Sequence, residues 1–455
     1  MKIMKRSGIE ADFDVTKISA AIKKANCEVA AVDQLSEEQI EEISTNVEKI
    51  CSDIGRTLGV EEIQDLVEDQ IMNKRAFVLA RKYITYRYTR ALIRKSNSTD
   101  KQILSLLECN NEEAKQENSN KNPTVNSVQR DYMAGEVSKD ITKRFLLPED
   151  IVAAHEQGII HFHDSDYFAQ HMHNCCLVNL EDMLQNGTVI SETMIERPKS
   201  FSTACNIATQ SIAQIASSQY GGQSISLAHL APFVDVSRQK FRLQVRDEFE
   251  KANIAASEEQ INDVAEQRVR DEIKRGVQMI QYQVITLMTT NGQAPFLSVF
   301  MYLREEPEYI EETAMLIEET LKQRFIGMKN PVGAYVTPAF PKLLYVLDDN
   351  NVPQDSKYRY LTDLAVKCVS KRMMPDFISA KIMRENYEGQ VFPCMGCRSF
   401  LSPWKDENGE YKWYGRFNQG VVTLNLADAG LSANHKLDNF WKILDERLEL
   451  CKEAL

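Results

Sequence analysis

The stretch VFPCMGCRSF, Val391–Phe400, sets two cysteines three positions apart behind a proline. A Cys-x-x-Cys pair can hold a metal, cycle as a disulfide, or keep one thiol for other chemistry. Each reading makes this a different kind of protein, and the surrounding sequence has to choose.

Around this stretch, from about Val125 onward, long helical patterns alternate with short β-like runs: GIIHFHD, PFLSVFMYL, GAYVTPAF, LLYVL and GVVTLNL. Strands alternating with helices predict an α/β domain over residues 125–455, with functional residues gathered at strand ends and loops. The charged run Arg238–Arg275 mixes acids with bases and reads as a solvated helix face. Upstream, residues 96–124 are rich in Asn, Ser and Glu and read as a linker containing one short helix.

The first 95 residues read as a separate, mostly helical unit. Lys2–Phe13 suggests two short strands around a Ser7-Gly8 turn, where glycine supplies the positive φ of a tight hairpin. Asp14 is placed to cap a helix whose apolar face is Ile18, Ala21, Ile22 and Ala25. Ser36-x-x-Gln39 is a capping box opening a second helix, with a stripe of Ile40, Ile43, Val47, Ile50 and Ile54 running to Gly55. Two more helices are expected, near Val60–Lys74 and Arg75–Lys95. Lys5 and Arg6 at the glycine turn, with Lys17 on the first helical turn, make a phosphate cradle or an ordinary basic hairpin.

Composition narrows the class. With 455 residues the chain has room for two or more domains, and 43% apolar with 26% charged residues is the balance of a soluble globular protein. No run of about 20 apolar residues could span a bilayer. MKIMKRSGIE lacks the apolar core of a secretory signal, so the ten cysteines are expected reduced, in a cytoplasmic protein. A net charge of -12 argues against a general nucleic-acid binder but leaves nucleotides open as ligands.

HFHDSDYFAQHMHNCC gathers His161, His163, His171, His173, Cys175 and Cys176. These are borderline-soft donors suited to Zn or Fe. Cys175 and Cys176 are adjacent, however, so on a strand they point to opposite faces and chelate poorly. On pattern alone a metal site, a thiol-based active site and a packed core all stay open.

Two resemblances go further. MKRSGIEADFDVTKISAAI with ARKYITYRYTRALI resembles the ATP-cone, the regulatory domain that binds ATP or dATP at the N-terminus of many ribonucleotide reductases. The likeness implies Lys5, Arg6 and Lys17 as effector contacts. HFHDSDYF…HNCCLVNLEDML, QYGGQSISLAHLAPFVD, TTNGQAPFLSVF, TPAFPKLLY, PCMGCRSFLSPW and GRFNQGVVTLNL, in that order, resemble the catalytic subunit of anaerobic (class III) ribonucleoside-triphosphate reductase. That implies the N-terminal part of a glycyl-radical-enzyme-type ten-stranded α/β barrel. By the family's motifs Cys397 carries a thiyl radical, Cys175 lies across the substrate, and Asn418 binds its hydroxyls. Asn174 and Ser399 are further candidates for the substrate-binding lining, and no metal ligand is expected among these residues.

The resemblance also implies ribonucleoside triphosphates as substrates, a radical-SAM activating enzyme as partner, and a homodimer or larger homo-oligomer. Formate is the expected reductant; the extra thiols Cys176 and Cys394 keep a dithiol route conceivable. The family's radical glycine and four-cysteine zinc site are absent from this sequence and are expected in a C-terminal part beyond it, leaving this chain inactive alone. Two rival readings are a non-catalytic nucleotide-sensing regulator and a metal-binding protein built on the His/Cys cluster.

Overall fold

A computed structural model describes residues 2–4, 10–88, 103, 125–287, 289, 292, 294–396 and 399–455. They fall into two compact units, Met1–Gln102 and Ile103–Leu455, each with its own apolar core.

In the first unit, β1 (Lys2–Met4) pairs antiparallel with β2 (Glu10–Asp12) and parallel with β3 (Leu58–Gly59). The third strand is too short for any hydrophobic period to register in the sequence. The Asp14 carboxylate accepts a hydrogen bond from the Thr16 backbone N–H at 3.1 Å, capping α1 (Val15–Asn26). Helix α2 (Glu37–Asp53) opens with the full capping box. Ser36 Oγ accepts from Gln39 N at 3.3 Å and Gln39 Oε1 accepts from Ser36 N at 2.9 Å. Its buried stripe is Ile40, Ile43, Val47 and Cys51, whereas Ile54 is 43% exposed. Ile54 keeps the angular position of the stripe but is the C-cap residue, beyond the last helical residue Asp53, where the helix end leaves it open to solvent. Helix α3 (Val60–Asn73) and a helix over 77–88 complete the unit. They pack Ile63, Val67, Ile71 and Leu79 onto Ile22 and Ile43.

The second unit is built on six strands in the order β13-β12-β9-β8-β5-β14. They are β5 (Cys175–Leu177), β8 (Gln223–Ser226), β9 (Leu297–Met301), β12 (Lys342–Leu347), β13 (Asp376–Ser379) and β14 (Phe417–Asn418). The first five in that spatial order are mutually parallel, and β14 joins β5 antiparallel. Parallel neighbours need crossovers, and helices supply them. Phe201–Ala216 lies between β5 and β8, Ala231–Lys251 and Glu258–Thr286 between β8 and β9, Ile310–Ile326 between β9 and β12, and Arg359–Arg372 between β12 and β13. The charged run sits on the Ala231–Lys251 and Glu258–Thr286 pair, laced by Arg246–Glu258 at 2.8 Å and Arg268–Glu248 at 2.7 Å.

The main sheet of the described residues is open, with β13 and β14 at its edges. Two departures from the sequence expectation matter. GVVTLNL supplies β15 (Val422–Leu424), which pairs with β4 (Ile160–Phe162) away from that sheet. GAYVTPAF gives only β11 (Tyr335–Val336), hairpinned to β10 (Met328–Lys329). A further hairpin joins β6 (Thr188–Ile190) to β7 (Thr193–Ile195).

Candidate active site

Cys175 is the first residue of β5, where the register sets it opposite Asn418 on β14. The Asn418 side chain folds back along the pair, and its Oδ1 accepts from Cys175 N at 2.8 Å. Its backbone carbonyl accepts from Asn174 N at 3.1 Å. Because an N–H donor fixes the oxygen, the Asn418 amide nitrogen is left as a donor for a ligand; it has no partner among the described residues. The Cys175 thiol donates to Asn174 Oδ1 at 2.7 Å and accepts from Gly222 N at 3.2 Å, so its direction is set by two neighbours.

Three glycines let two further chain segments close on that sulfur. A Cβ on Gly221 would stand 2.6 Å from Cys175 Sγ and 2.4 Å from Asn174 Oδ1, and one on Gly222 would stand 2.5 Å from Gly396 Cα. Gly396 has φ +49°, and its Cβ would meet Cys175 Sγ at 2.9 Å. The segment leading to Cys397 is therefore seated directly against Cys175. It is held by Ser224 Oγ donating to the Cys394 carbonyl at 2.6 Å and Ser298 Oγ donating to the Gly396 carbonyl at 3.1 Å. Beneath it, Phe392 stacks on Trp413 with centroids 3.6 Å apart. Met395 N donates to the Ser399 carbonyl at 2.7 Å, closing the loop. Ser399 is exposed on its far side. Cys397 itself lies outside the described residues.

The two other thiols near this point are structural. Cys176 faces away from Cys175, buried, with its thiol on Gln219 Oε1 at 3.1 Å; burial pushes its pKa up to about 12. Cys394 is buried among Phe300, Tyr302, Leu344 and Val346. A hydroxyl donor on its carbonyl and an apolar pocket around its side chain suit anchoring of the loop.

A cavity of about 630 Å³, the size of a small-molecule site, is lined among others by Phe162, His163, Asp164, Tyr220, Gln419 and Val421. Tyr220 precedes Gly221 and Gln419 follows Asn418 in the chain. Tyr220 stacks on Tyr167 at 5.0 Å, and its hydroxyl donates to the Gln419 carbonyl at 3.1 Å. His163 Nε2 lies 2.7 Å from Thr423 Oγ1, and His161 packs edge-on against it at 4.4 Å. Desolvation lowers the pKa of both.

The histidine–cysteine run is thereby dispersed. His161 and His163 belong to β4 and its end, His171 to the cavity rim, and His173 to Gln219 at 3.2 Å. In the first unit Lys17 is exposed and pairs with Asp14 at 3.7 Å; Lys5 and Arg6 lie outside the described residues. Gly221, Gly222 and Gly396 are the residues that sequence reasoning passed over. The only available signal was the glycine doublet behind Tyr220.

Comparison with known proteins gives two profile matches: "Anaerobic ribonucleoside-triphosphate reductase" over residues 117–455 and "ATP cone domain" over residues 1–92. The chain is 38% identical over 469 residues to an anaerobic ribonucleoside-triphosphate reductase from Escherichia coli, covering 100% of this chain and 62% of that protein. It is 38% identical over 366 residues to the one from Enterobacteria phage T4, covering 78% of this chain and 58% of the relative. It thus spans about three fifths of the length of these relatives. An anaerobic ribonucleotide reductase from Thermotoga maritima, solved with MES in the active site, shares the fold. Its TM-score is 0.51 at 13% identity, covering 82% of this chain and 60% of that one.

Proposed function

The chain belongs to the anaerobic ribonucleoside-triphosphate reductase family and carries an ATP cone, and from that premise we propose that it reduces ribonucleoside triphosphates to deoxyribonucleoside triphosphates by radical chemistry. The observation that carries the reading is the convergence on Cys175 of Asn418 from β14 and Gly396 from the Cys394-x-x-Cys397 loop.

The chemistry calls for such an arrangement. A ribose 2′-hydroxyl is a poor leaving group until the 3′-carbon becomes a radical. Cys397 as a thiyl radical takes the 3′-hydrogen, forming S–H and leaving the unpaired electron on C3′. The 2′-hydroxyl then departs as water, taking up a proton. Two electrons must replace it, and formate oxidised to carbon dioxide supplies them, with Cys175 delivering hydrogen to the sugar and Cys397 returning the 3′-hydrogen. Asn418 and Asn174 orient the ribose hydroxyls, with Ser399 as a further polar contact, and the cavity beside Tyr220 takes the nucleotide. Formate is favoured over a dithiol because Cys176 and Cys394 are both buried.

In this reading Cys397 receives its radical from a glycyl radical installed by a radical-SAM activating enzyme. The five parallel strands are one half of a ten-stranded barrel, and the active species is a homodimer or larger assembly in the cytoplasm. Zinc is assigned to the part of the family's length that this sequence does not cover. Residues 1–95 form the ATP-cone, joined through 96–124 to the reductase domain at 125–455. Lys5, Arg6 and Lys17 bind ATP or dATP, which sets activity. The test is Cys397→Ala in the activated enzyme. Deoxynucleotide formation disappears while nucleotide binding stays within about twofold; retained turnover would remove Cys397 from the mechanism.

A further inference from the structure

At the opposite end of β5 from Cys175 lies a second group of polar side chains that the reductase chemistry does not use. Glu181 is the second residue of the helix Leu180–Gln185, which follows β5. His229 lies in the short turn Ala228–Leu230 after β8, and Glu306 precedes the turn Pro307–Tyr309 after β9. Strands β5, β8 and β9 are parallel neighbours in the sheet. Each therefore delivers one side chain from its carboxyl end, where ligands of open α/β sheets gather. One ring nitrogen of His229 and one carboxylate oxygen from each glutamate lie within 4.8 Å of one another.

The histidine gives the group its direction. His229 is 2% exposed, and its Nδ1 has no hydrogen-bond partner among the described residues. A buried ring nitrogen left without a partner is costly. Tyr414 holds the ring, packing edge-on at 4.5 Å. The Tyr414 hydroxyl in turn donates to Glu305, which also accepts from Ser226. Glu305 is thus occupied in supporting the wall, and its neighbour Glu306 is left to face Glu181. Among the described residues no lysine or arginine pairs with Glu181 or Glu306. Two carboxylates held together without a countercharge repel one another, and a cation between them removes that cost.

We propose that Glu181, His229 and Glu306 bind a divalent first-row transition-metal ion, tying together the carboxyl ends of three central strands. One imidazole and two carboxylates suit Zn²⁺, Mn²⁺ or Fe²⁺ better than Ca²⁺ or a thiol-seeking ion. Small rotations of the glutamates would bring the donors to metal-bonding distance. Exposed Glu181 provides the way in from solvent, and the remaining coordination positions go to water.

Cobalt(II) alone is the probe, added to the 455-residue chain. Its visible d–d absorption reports nitrogen and oxygen ligation, and a near-ultraviolet thiolate band reports cysteine instead. The expected result is stoichiometric uptake without the thiolate band, displaced by zinc, with a rise in the unfolding midpoint of the metal-loaded chain. His229→Gln abolishes the uptake and Glu181→Gln weakens it at least tenfold. If His229→Gln fails to fold by circular dichroism, the surface variant Glu181→Gln decides alone. No uptake by the parent chain, uptake through thiolates, or affinity unchanged in Glu181→Gln overturns the proposal.

Discussion

Gly396 concentrates the steric problem of the candidate site into one position. It combines φ +49° with a space already filled by Cys175 Sγ, and across from it Gly222 has no room for a methyl beside Phe296 and Gly396 itself. Gly396→Ala or Gly222→Ala must therefore push the Cys397 segment away from Cys175. Overpacking of this kind costs about 1–3 kcal/mol, and a misplacement of roughly 1 Å can cost about a hundredfold in rate. Turnover in either variant is expected to fall by about tenfold to a hundredfold. Gly430→Ala is the control, because its Cβ would meet nothing within 4 Å and alanine favours the helix Leu426–Ser432. Equal activity in all three variants would mean that the close approach does not matter to catalysis. The cysteines and asparagines of this site could be singled out in the sequence by their resemblance to family motifs. The glycines could not be given a role there, because what they avoid is contributed by residues far away in the chain.

Element by element, legibility followed the hydrophobic period. Helices α1 and α2 stood out through their caps and stripes, and β9 and β12 through their apolar runs. Strand β8, QSIS, is central and wholly buried yet carries three polar side chains. It escapes a hydropathy reading because three of its four side chains are polar, and the donors among them are taken up by neighbours. Gln223 Nε2 donates to the Ile212 carbonyl at 2.8 Å, and Ser224 donates to that of Cys394. Strand β4 poses a different question, since His161 on it and His163 at its end cluster with His155 from the helix Glu149–Glu156. Desolvation, the first cause in each case, lowers the pKa of all three, so the fold holds them neutral. A free imidazole titrates near about 6.5, and below that value the unfolded chain binds more protons than the folded one. The stability due to these rings is thus present above about pH 6.5 and drains away as pH falls through their lowered values. Thermal midpoints measured between pH 7.5 and 5.5 should fall, and His161→Gln should fall less. Parallel curves for parent and variant would assign the acid sensitivity elsewhere.

For the whole molecule, the governing fact is that two units carry two separate cores. Burial within one core stabilises that unit directly, so each is expected to unfold in its own transition. Ile43 is fully buried in the first unit, and Ile43→Ala should cost that unit about 2–5 kcal/mol. Scanning calorimetry would then show one transition moving to lower temperature while the other stays in place. ATP provides the opposite perturbation. A ligand that binds only the folded form at a hundredfold excess over its Kd stabilises it by about 2.7 kcal/mol. If the first unit is the effector site, ATP at such an excess raises the transition lowered by Ile43→Ala and no other. Lys17→Ala should reduce that rise while leaving the ligand-free midpoint nearly unchanged, because its ion pair to Asp14 is exposed and contributes little. A rise confined to the other transition would move the ATP site to the larger unit. A rise in both transitions would mean that ATP binds folded groups in both units, and the first unit would then not be the sole effector site.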